Sequence, residues 1–152
     1  MIADSKLRLT TFIFAALGAI NALYLSVNKL LHRQVFCGGS GECETVANSP
    51  YSEIAGIPIA LLGLGAYLVI LLLLYLETRS AFWMENSPLA LFGIGLIGVI
   101  YSAYLTYLEI WVIHAICPYC VLSAIFMLII FVVAIIRLVQ GQPEAKYIQK
   151  GG

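Results

Sequence analysis

The sequence predicts an all-α membrane protein built as a bundle of four transmembrane helices. Of its 152 residues, 62% are hydrophobic and only 11% are charged, whereas soluble domains carry roughly a quarter charged residues. The uncharged residues also form four long runs, each matching the roughly 18 to 20 residues that a membrane-spanning helix needs. The net charge of zero leaves no basic surface for nucleic acid, so that class of partner is excluded.

The four runs place the spans at about residues 9–28, 59–76, 88–108 and 112–136, within one membrane domain at 1–138. The first run is too long for the core of a signal peptide, and no small-residue cleavage site follows it. Gly56 and Pro58 precede the second span, so the loop 29–58 is expected to contain a short interfacial helix. The polar residues 139–152 form a C-terminal tail.

The basic residues predict the orientation. Six of the eight Lys and Arg residues lie before the first span, between the second and third, or after the fourth, and only Lys29 and Arg33 lie in the loop 29–58. Because basic residues in short loops favour the cytoplasmic side, both termini are predicted to be cytoplasmic in the cell inner membrane. All four cysteines then lie on the outer (periplasmic) face, where disulfides form and persist.

Two cysteine pairs carry the candidate chemistry. Cys117 and Cys120 are separated by two residues at the start of the fourth span, where the helix dipole favours a thiolate. Cys37 and Cys43 enclose the segment GGSGE, and its glycines predict a loop that can move. This arrangement indicates a mobile pair that shuttles electrons and an anchored pair that exchanges with it at the membrane surface.

Three other interpretations of the cysteines stay open. They could form two structural disulfides, although a two-residue gap strains a bridge and is more typical of an exchanging pair. They could hold a zinc ion, although zinc ribbons favour tight spacing in both halves. They could also be small buried hydrophobic residues, although four on one side of the membrane argue against it.

Exchanging cysteines need a final electron acceptor. The sequence contains no haem or flavin motif, so a lipid-soluble quinone is the acceptor that a membrane can supply. A cysteine pair at the end of a four-helix bundle has the depth at which a quinone ring could lie, with its tail in the membrane lipid.

Other polar and aromatic residues have two interpretations each. His114 and Glu109 could assist proton transfer, but they more simply mark the water boundary. Asn21, Tyr24 and Ser102 are polar at membrane depth and should find an internal partner or a quinone oxygen. An aromatic cluster at the outer end of spans three and four fits an interfacial belt, from which one ring could stack on a quinone: Tyr104, Tyr107, Trp111 and Tyr119.

The run CGGSGECETVANSPYSEIAGIPIALLG at 37–63, followed by CPYC at 117–120, resembles the vitamin K epoxide reductase family in its bacterial and archaeal form. The resemblance covers about residues 10–138. It depends on the two cysteines with five residues between them, on Ser49, on Gly-Ile-Pro at 56–58 and on the late CPYC. Their order and spacing together make it specific.

The resemblance implies a quinone-dependent thiol oxidoreductase. Cys43 would exchange with an extracytoplasmic thioredoxin-like (DsbA-like) protein, and Cys37 would pass electrons to Cys117. Cys120 would lie closest to the quinone, reduce it and close the Cys117–Cys120 disulfide. Many bacterial relatives carry a fused thioredoxin-like domain after a fifth span, and this sequence ends before such a domain would begin. Either the partner is a separate protein, which is the expectation here, or the sequence is a piece of a longer protein.

The resemblance also implies a quinone site. The resemblance gives Ser49 and Cys120 as candidate residues, and the aromatic cluster adds Tyr119 and Tyr104. The substrate would be a ubiquinone, menaquinone or phylloquinone-type quinone, with no metal. Animal enzymes carry a tyrosine at the position of Ala124, so a plain quinone is expected rather than an epoxide. The rival functions are the unrelated four-span quinone-linked disulfide oxidases, whose cysteine pairs occur in the reverse order, and a non-enzymatic membrane scaffold or transporter-like protein with structural disulfides.

Overall fold

The computed structural model describes residues 2–33, 45–46 and 48–140. Within these ranges four long helices form the molecule: α1 (Ile2–Leu30), α2 (Ile59–Glu77), α3 (Ala81–Leu108) and α4 (Pro118–Gln140). All four are long and apolar enough to cross a membrane, and they pack as a bundle in which each helix contacts its two neighbours around a ring. The predicted all-α four-helix membrane bundle is confirmed.

The ends of the third and fourth helices differ from the ends of the uncharged runs. Glu85 lies inside α3, and Glu109 begins a π-helical turn, Glu109–Ile113, that continues α3 beyond Leu108. The fourth helix consequently begins at Pro118, although the apolar run begins near residue 110. A charged side chain ends a hydropathic run without ending the backbone hydrogen bonding of a helix, so run and helix need not coincide.

The loop between α1 and α2 approaches the bundle through short elements. Thr45 and Val46 are helical, Pro50–Ser52 form a 3₁₀ turn, and strands β1 (Glu53–Ile54) and β2 (Ile57–Pro58) pair in an antiparallel hairpin. Both residues of the hairpin turn have positive φ, 53° at Ala55 and 82° at Gly56, as a type I′ turn requires. The hairpin delivers Pro58 to the start of α2, where proline is compatible with the first helical turn.

Small residues on α1 let the bundle close tightly. Ala15, Ala19 and Ala22 are buried, and a side chain added at Gly18 would overlap the ring of Tyr67 on α2. Small side chains at helix interfaces allow close backbone approach, which provides the packing contacts that hold membrane helices together. The Tyr67 hydroxyl in turn lies 2.9 Å from both the carbonyl oxygen and the hydroxyl of Ser123 on α4, so this ring links three helices.

A buried ionic cluster joins α1, α2 and α4 at the end of the bundle far from Cys117. Arg137 donates to both carboxylate oxygens of Glu77, at 3.1 and 3.3 Å, and the Arg8 Nε lies 2.9 Å from Glu77 Oε2. The side chains of Glu77 and Arg137 are 0% and 1% exposed, whereas that of Arg8 is 31% exposed. Burying an unpaired charge costs free energy, so removal of either Glu77 or Arg137 would leave the other as an uncompensated buried charge.

Candidate active site

The anchored cysteine pair lies where the chain enters α4. Cys117 is 2% exposed, and its carbonyl oxygen accepts a hydrogen bond from the Val121 N–H at 3.1 Å, which makes it the residue that caps the helix. Cys120 follows in the first turn and is partly buried, and both cysteines are free thiols. Pro118 at the first helical position loses no hydrogen bond, because that amide would have no partner within the helix.

The turn before Cys117 is fixed by Glu109 and His114. The Ala115 N–H donates to the Glu109 carbonyl oxygen at 3.1 Å, and His114 adopts the left-handed conformation with φ 57° and ψ 32°, which histidine tolerates better than most residues. The Cys117 N–H then donates to Glu109 Oε2 at 3.3 Å. Glu109 therefore holds the turn through both its backbone and its side chain, and it is itself only 4% exposed.

The surroundings of Cys117 favour its thiolate form. A hydrogen bond from the Cys120 thiol lowers the pKa of the Cys117 thiol, and this effect outweighs the burial and the Glu109 charge that both raise it. The Glu109 carboxylate is a second hydrogen-bond acceptor beside the Cys120 thiol. Since the thiolate is the form that attacks sulfur, Cys117 is the cysteine of this pair that is prepared to act as the nucleophile.

We expect Cys117 to be alkylated at a lower pH than an ordinary thiol. In a Cys37→Ala/Cys43→Ala background, the rate of iodoacetamide labelling of Cys117 should rise through a midpoint below the usual thiol pKa of about 8.5. Adding Cys120→Ala removes the donating thiol, so the midpoint should move upward. Labelling is followed by mass spectrometry across pH, and an unchanged midpoint on removal of Cys120 would contradict the assigned cause.

A cavity of about 860 Å³ opens beside this pair. Its volume falls in the range of small-molecule sites, which are mostly apolar with a few placed polar groups. All four helices and the loop before α2 contribute to its lining, mostly from the half of each helix nearest the cysteines. The polar side chains among the lining residues include Asn21, Asn28, Lys29, His32, Ser49, Ser52, Tyr101, Ser102, Thr106, Glu109, Cys117, Cys120 and Ser123.

The predicted site residues are only partly brought together. Cys117, Cys120 and Ser49 line the cavity, and the Ser49 hydroxyl donates to the Val46 carbonyl oxygen at 2.7 Å. Tyr104 is 51% exposed, and neither it nor Tyr119 belongs to the described lining. The predicted shuttle cysteines at positions 37 and 43 lie outside the described residues.

Tyr119 has a packing role in this arrangement. Its ring lies 5.5 Å from that of Tyr24 on α1, and its carbonyl oxygen accepts a hydrogen bond from Asn21 Nδ2 at 3.0 Å. Asn21 thereby finds the internal partner expected of a polar residue at membrane depth. These contacts attach α1 to the first turn of α4, which fixes the cysteine pair against the bundle.

For Glu109 the sequence favours a place at the water boundary and leaves proton transfer as the alternative. Its position after a long apolar run is typical of a side chain at the water boundary, whereas in the structure it is buried against the thiols. His114, which had an equally plausible proton-transfer role, is exposed and outside the described lining. Within the described residues no group of three metal-ligating side chains occurs, and a four-cysteine zinc site would also need Cys37 and Cys43.

A family model described as "Vitamin K epoxide reductase family" matches residues 9–135. The chain belongs to the vitamin K epoxide reductase family. Enzymes of this family are quinone-dependent thiol/disulfide oxidoreductases. The match with the vitamin K epoxide reductase family spans both cysteine pairs and most of all four helices.

Proposed function

We propose that this protein takes electrons from a separate thioredoxin-like (DsbA-like) partner and passes them to a quinone bound in the cavity. The observation that carries the proposal is the position of Cys117 and Cys120 on the wall of a chamber bounded by all four helices. The cavity is mostly apolar and loop residues form part of its lining, which suits a quinone ring from the lipid and a thiol from the loop.

The electrons would travel by successive thiolate substitutions. A thiolate of the partner attacks Cys43 and breaks the Cys37–Cys43 disulfide, and the second thiolate of the partner then breaks the partner–Cys43 bond, which leaves the partner oxidised and Cys43 free. The released Cys37 thiolate attacks Cys117 and breaks the Cys117–Cys120 disulfide. Each step moves two electrons to the next pair, and its direction follows the reduction potentials of the pairs, with about 30 mV equal to 1.4 kcal/mol. Release of the Cys37–Cys117 bond by Cys43 leaves the second pair reduced.

The reduced pair then reacts with the quinone. Two electrons leave the Cys120 sulfur for the quinone while the Cys117 thiolate bonds to that sulfur, which restores the disulfide, and two protons complete the hydroquinone. The lowered pKa of Cys117 supports its role as the thiolate that closes the bond. Ser49, which lines the same cavity, is a candidate donor to a quinone oxygen.

We also infer that this chemistry occurs on the outer face of the cell inner membrane, with both termini in the cytoplasm. The basic residues support this orientation, because Lys6, Arg8, Arg79 and Arg137 all lie at the end of the bundle opposite the cysteines. In that orientation the cysteines meet oxidised and reduced partners in the compartment where disulfides persist. The net result would be disulfide formation in proteins outside the cytoplasm.

The proposal is tested by following quinone absorbance anaerobically as purified protein in detergent is mixed with a short-tailed quinone and a thiol donor. With a reduced thioredoxin-like protein as donor, the wild type should consume quinone, and Cys37→Ala and Cys43→Ala should not. With excess dithiothreitol, which can reach the second pair without the shuttle, the same two variants should keep most of their activity.

Two outcomes would contradict the proposal. Equal loss of activity with both donors would show that Cys37 and Cys43 are needed for more than the delivery of electrons from the partner. If the wild type consumes no quinone and its cysteines resist alkylation after mild reduction, the disulfides are structural, and the scaffold becomes the better description of the protein.

A further inference from the structure

Glu109 is a carboxylate buried at the reaction site. It is 4% exposed, and a carboxylate at this depth is expensive unless it has a partner or a function. Glu77, the other buried glutamate of the described chain, is matched by two arginines. Within the same residues Glu109 has no basic partner, and its side-chain hydrogen bonds go to Cys117 and Cys120.

These hydrogen bonds give Glu109 access to the reacting proton. Oε2 is occupied by the backbone N–H of Cys117 at 3.3 Å, and the carboxylate also bonds the Cys120 thiol. Glu109 and Cys120 both line the cavity. A carboxylate that contacts a thiol on one side and a ligand cavity on the other meets the geometric requirement for general acid–base catalysis, which is hydrogen-bond reach of the moving proton.

We propose that Glu109 is a catalytic residue that takes the proton from the Cys120 thiol and delivers it to a quinone oxygen. This inference rests on the proposed function, because it assigns a proton carrier to the same site. The Cys120 S–H bond breaks, its proton moves to the carboxylate, and the sulfur electrons reduce the quinone as the Cys117–Cys120 bond forms. Glu109 then gives up the proton to the reduced quinone and returns to its starting state.

The second proton of the reaction comes from the Cys117 thiol. Conversion of a dithiol and a quinone to a disulfide and a hydroquinone releases and consumes two protons. The Cys117 proton, which leaves more readily because the pKa of that thiol is lowered, exchanges with water at the loop side of the cavity. Glu109 therefore transfers only the proton of Cys120, the cysteine that lies on α4.

Other titratable groups around the cavity are less well placed. They come from α1, the loop, α2 and α3, and they comprise Lys29, His32, Arg33, Tyr51, Glu53, Tyr67 and Tyr101. Glu53, the remaining carboxylate of the described lining, is 45% exposed and lies 3.4 Å from the Lys29 ammonium. None of these groups has a hydrogen bond to either thiol in the described part of the molecule.

The decisive variant is Glu109→Gln. The amide oxygen can still accept the Cys117 N–H, but the side chain can no longer take a proton. Loss of a general acid–base group slows a reaction by roughly 10² to 10⁴-fold, so we expect quinone reduction to slow in that range while the KM for quinone stays within about twofold. Glu85→Gln, an exposed position on the same helix, is the matched control and should be unchanged.

A second measurement needs no quinone. In a Cys37→Ala/Cys43→Ala background, the reduced protein is mixed with hydroxyethyl disulfide, which forms a mixed disulfide on Cys117 and leaves Cys120 to lose its proton and displace the adduct. If Glu109 accepts that proton, the mixed disulfide should accumulate in Glu109→Gln and should be short-lived in Glu109→Asp, Glu85→Gln and the parent. Intact-mass spectrometry over time follows the adduct.

The two measurements separate the failure of this inference from the failure of the proposed function. If the wild type reduces quinone and Glu109→Gln matches it in both rate and adduct lifetime, the proton role of Glu109 is wrong. If the wild type does not reduce quinone but the adduct accumulates only in Glu109→Gln, the acceptor is wrong and Glu109 still takes the Cys120 proton. Equal adduct lifetimes in Glu109→Gln and Glu109→Asp that both exceed the parent would indicate a positional effect and overturn the inference.

Discussion

Cys120→Ala is expected to lower quinone reduction by more than about a thousandfold with every thiol donor, because removing a covalent participant leaves no alternative route. Cys117→Ala should have the same effect, since the disulfide cannot then close. Unlike the shuttle variants, neither should be rescued by dithiothreitol. The measurement is anaerobic quinone absorbance with dithiothreitol and, separately, with a reduced thioredoxin-like protein.

Thr10→Ala provides the control for this prediction. Thr10 is on α1 at the opposite end of the bundle, and its hydroxyl donates only to the Lys6 carbonyl oxygen of its own helix, at 2.9 Å. Its variant should reduce quinone at the wild-type rate. Residual turnover above a few per cent in Cys120→Ala, with the variant eluting as the wild type does, would show that electrons reach quinone without the second pair.

Glu77→Ala is expected to destabilise the bundle by about 3–5 kcal/mol, the range measured when one partner of a buried ion pair is removed. The substitution leaves Arg137 buried, with its side chain 1% exposed, and without its carboxylate. The free energy of unfolding can be measured by titrating a dodecyl maltoside solution with sodium dodecyl sulfate. Glu85→Ala, which removes an exposed glutamate, should change that free energy by less than about 0.5 kcal/mol.

A double variant isolates the cause of the Glu77 effect. Glu77→Leu combined with Arg137→Leu removes both buried charges and fills their volume, and such replacements are often close to neutral. The double variant should therefore recover most of the stability that Glu77→Ala loses. If it is as unstable as the single variant, the loss comes from packing at the end of α2 and the ionic cluster is not the reason.

The spans were predictable because hydropathy measures transfer into lipid directly. Pro58 also marked the start of α2 at Ile59 correctly, since proline fits the first turn of a helix. The joint between α3 and α4 was less predictable. Glu109 interrupts the apolar run by its charge, and the backbone continues through it as a π-helical turn to Ile113, which depends on hydrogen bonds that no residue pattern reveals.

The site was predictable where its chemistry is local and unpredictable where it depends on helix rotation. The CPYC spacing placed Cys117 and Cys120 at a helix start, as the structure has them. The aromatic cluster suggested Tyr104 for the quinone, but Tyr101, one turn earlier on α3, lines the cavity and Tyr104 is largely exposed. Burial of Glu109 against two thiols goes with the left-handed turn at His114, so the sequence alone favoured the water boundary for this side chain.

The separation of the cavity from the Arg8–Glu77–Arg137 cluster has a consequence for bioenergetics. Nearly all residues that line the cavity belong to the loop or to the loop-side half of the helices, while Glu77 and Arg137, whose side chains are almost fully buried, lie at the far end of the bundle. In the proposed reaction, thiol electrons arrive on the loop side, and the protons that accompany them are released and consumed on that same side. Turnover would then carry no net charge through the bilayer, so its rate should be indifferent to membrane voltage, and any contribution to the proton gradient would be left to the enzymes that reoxidise the quinol.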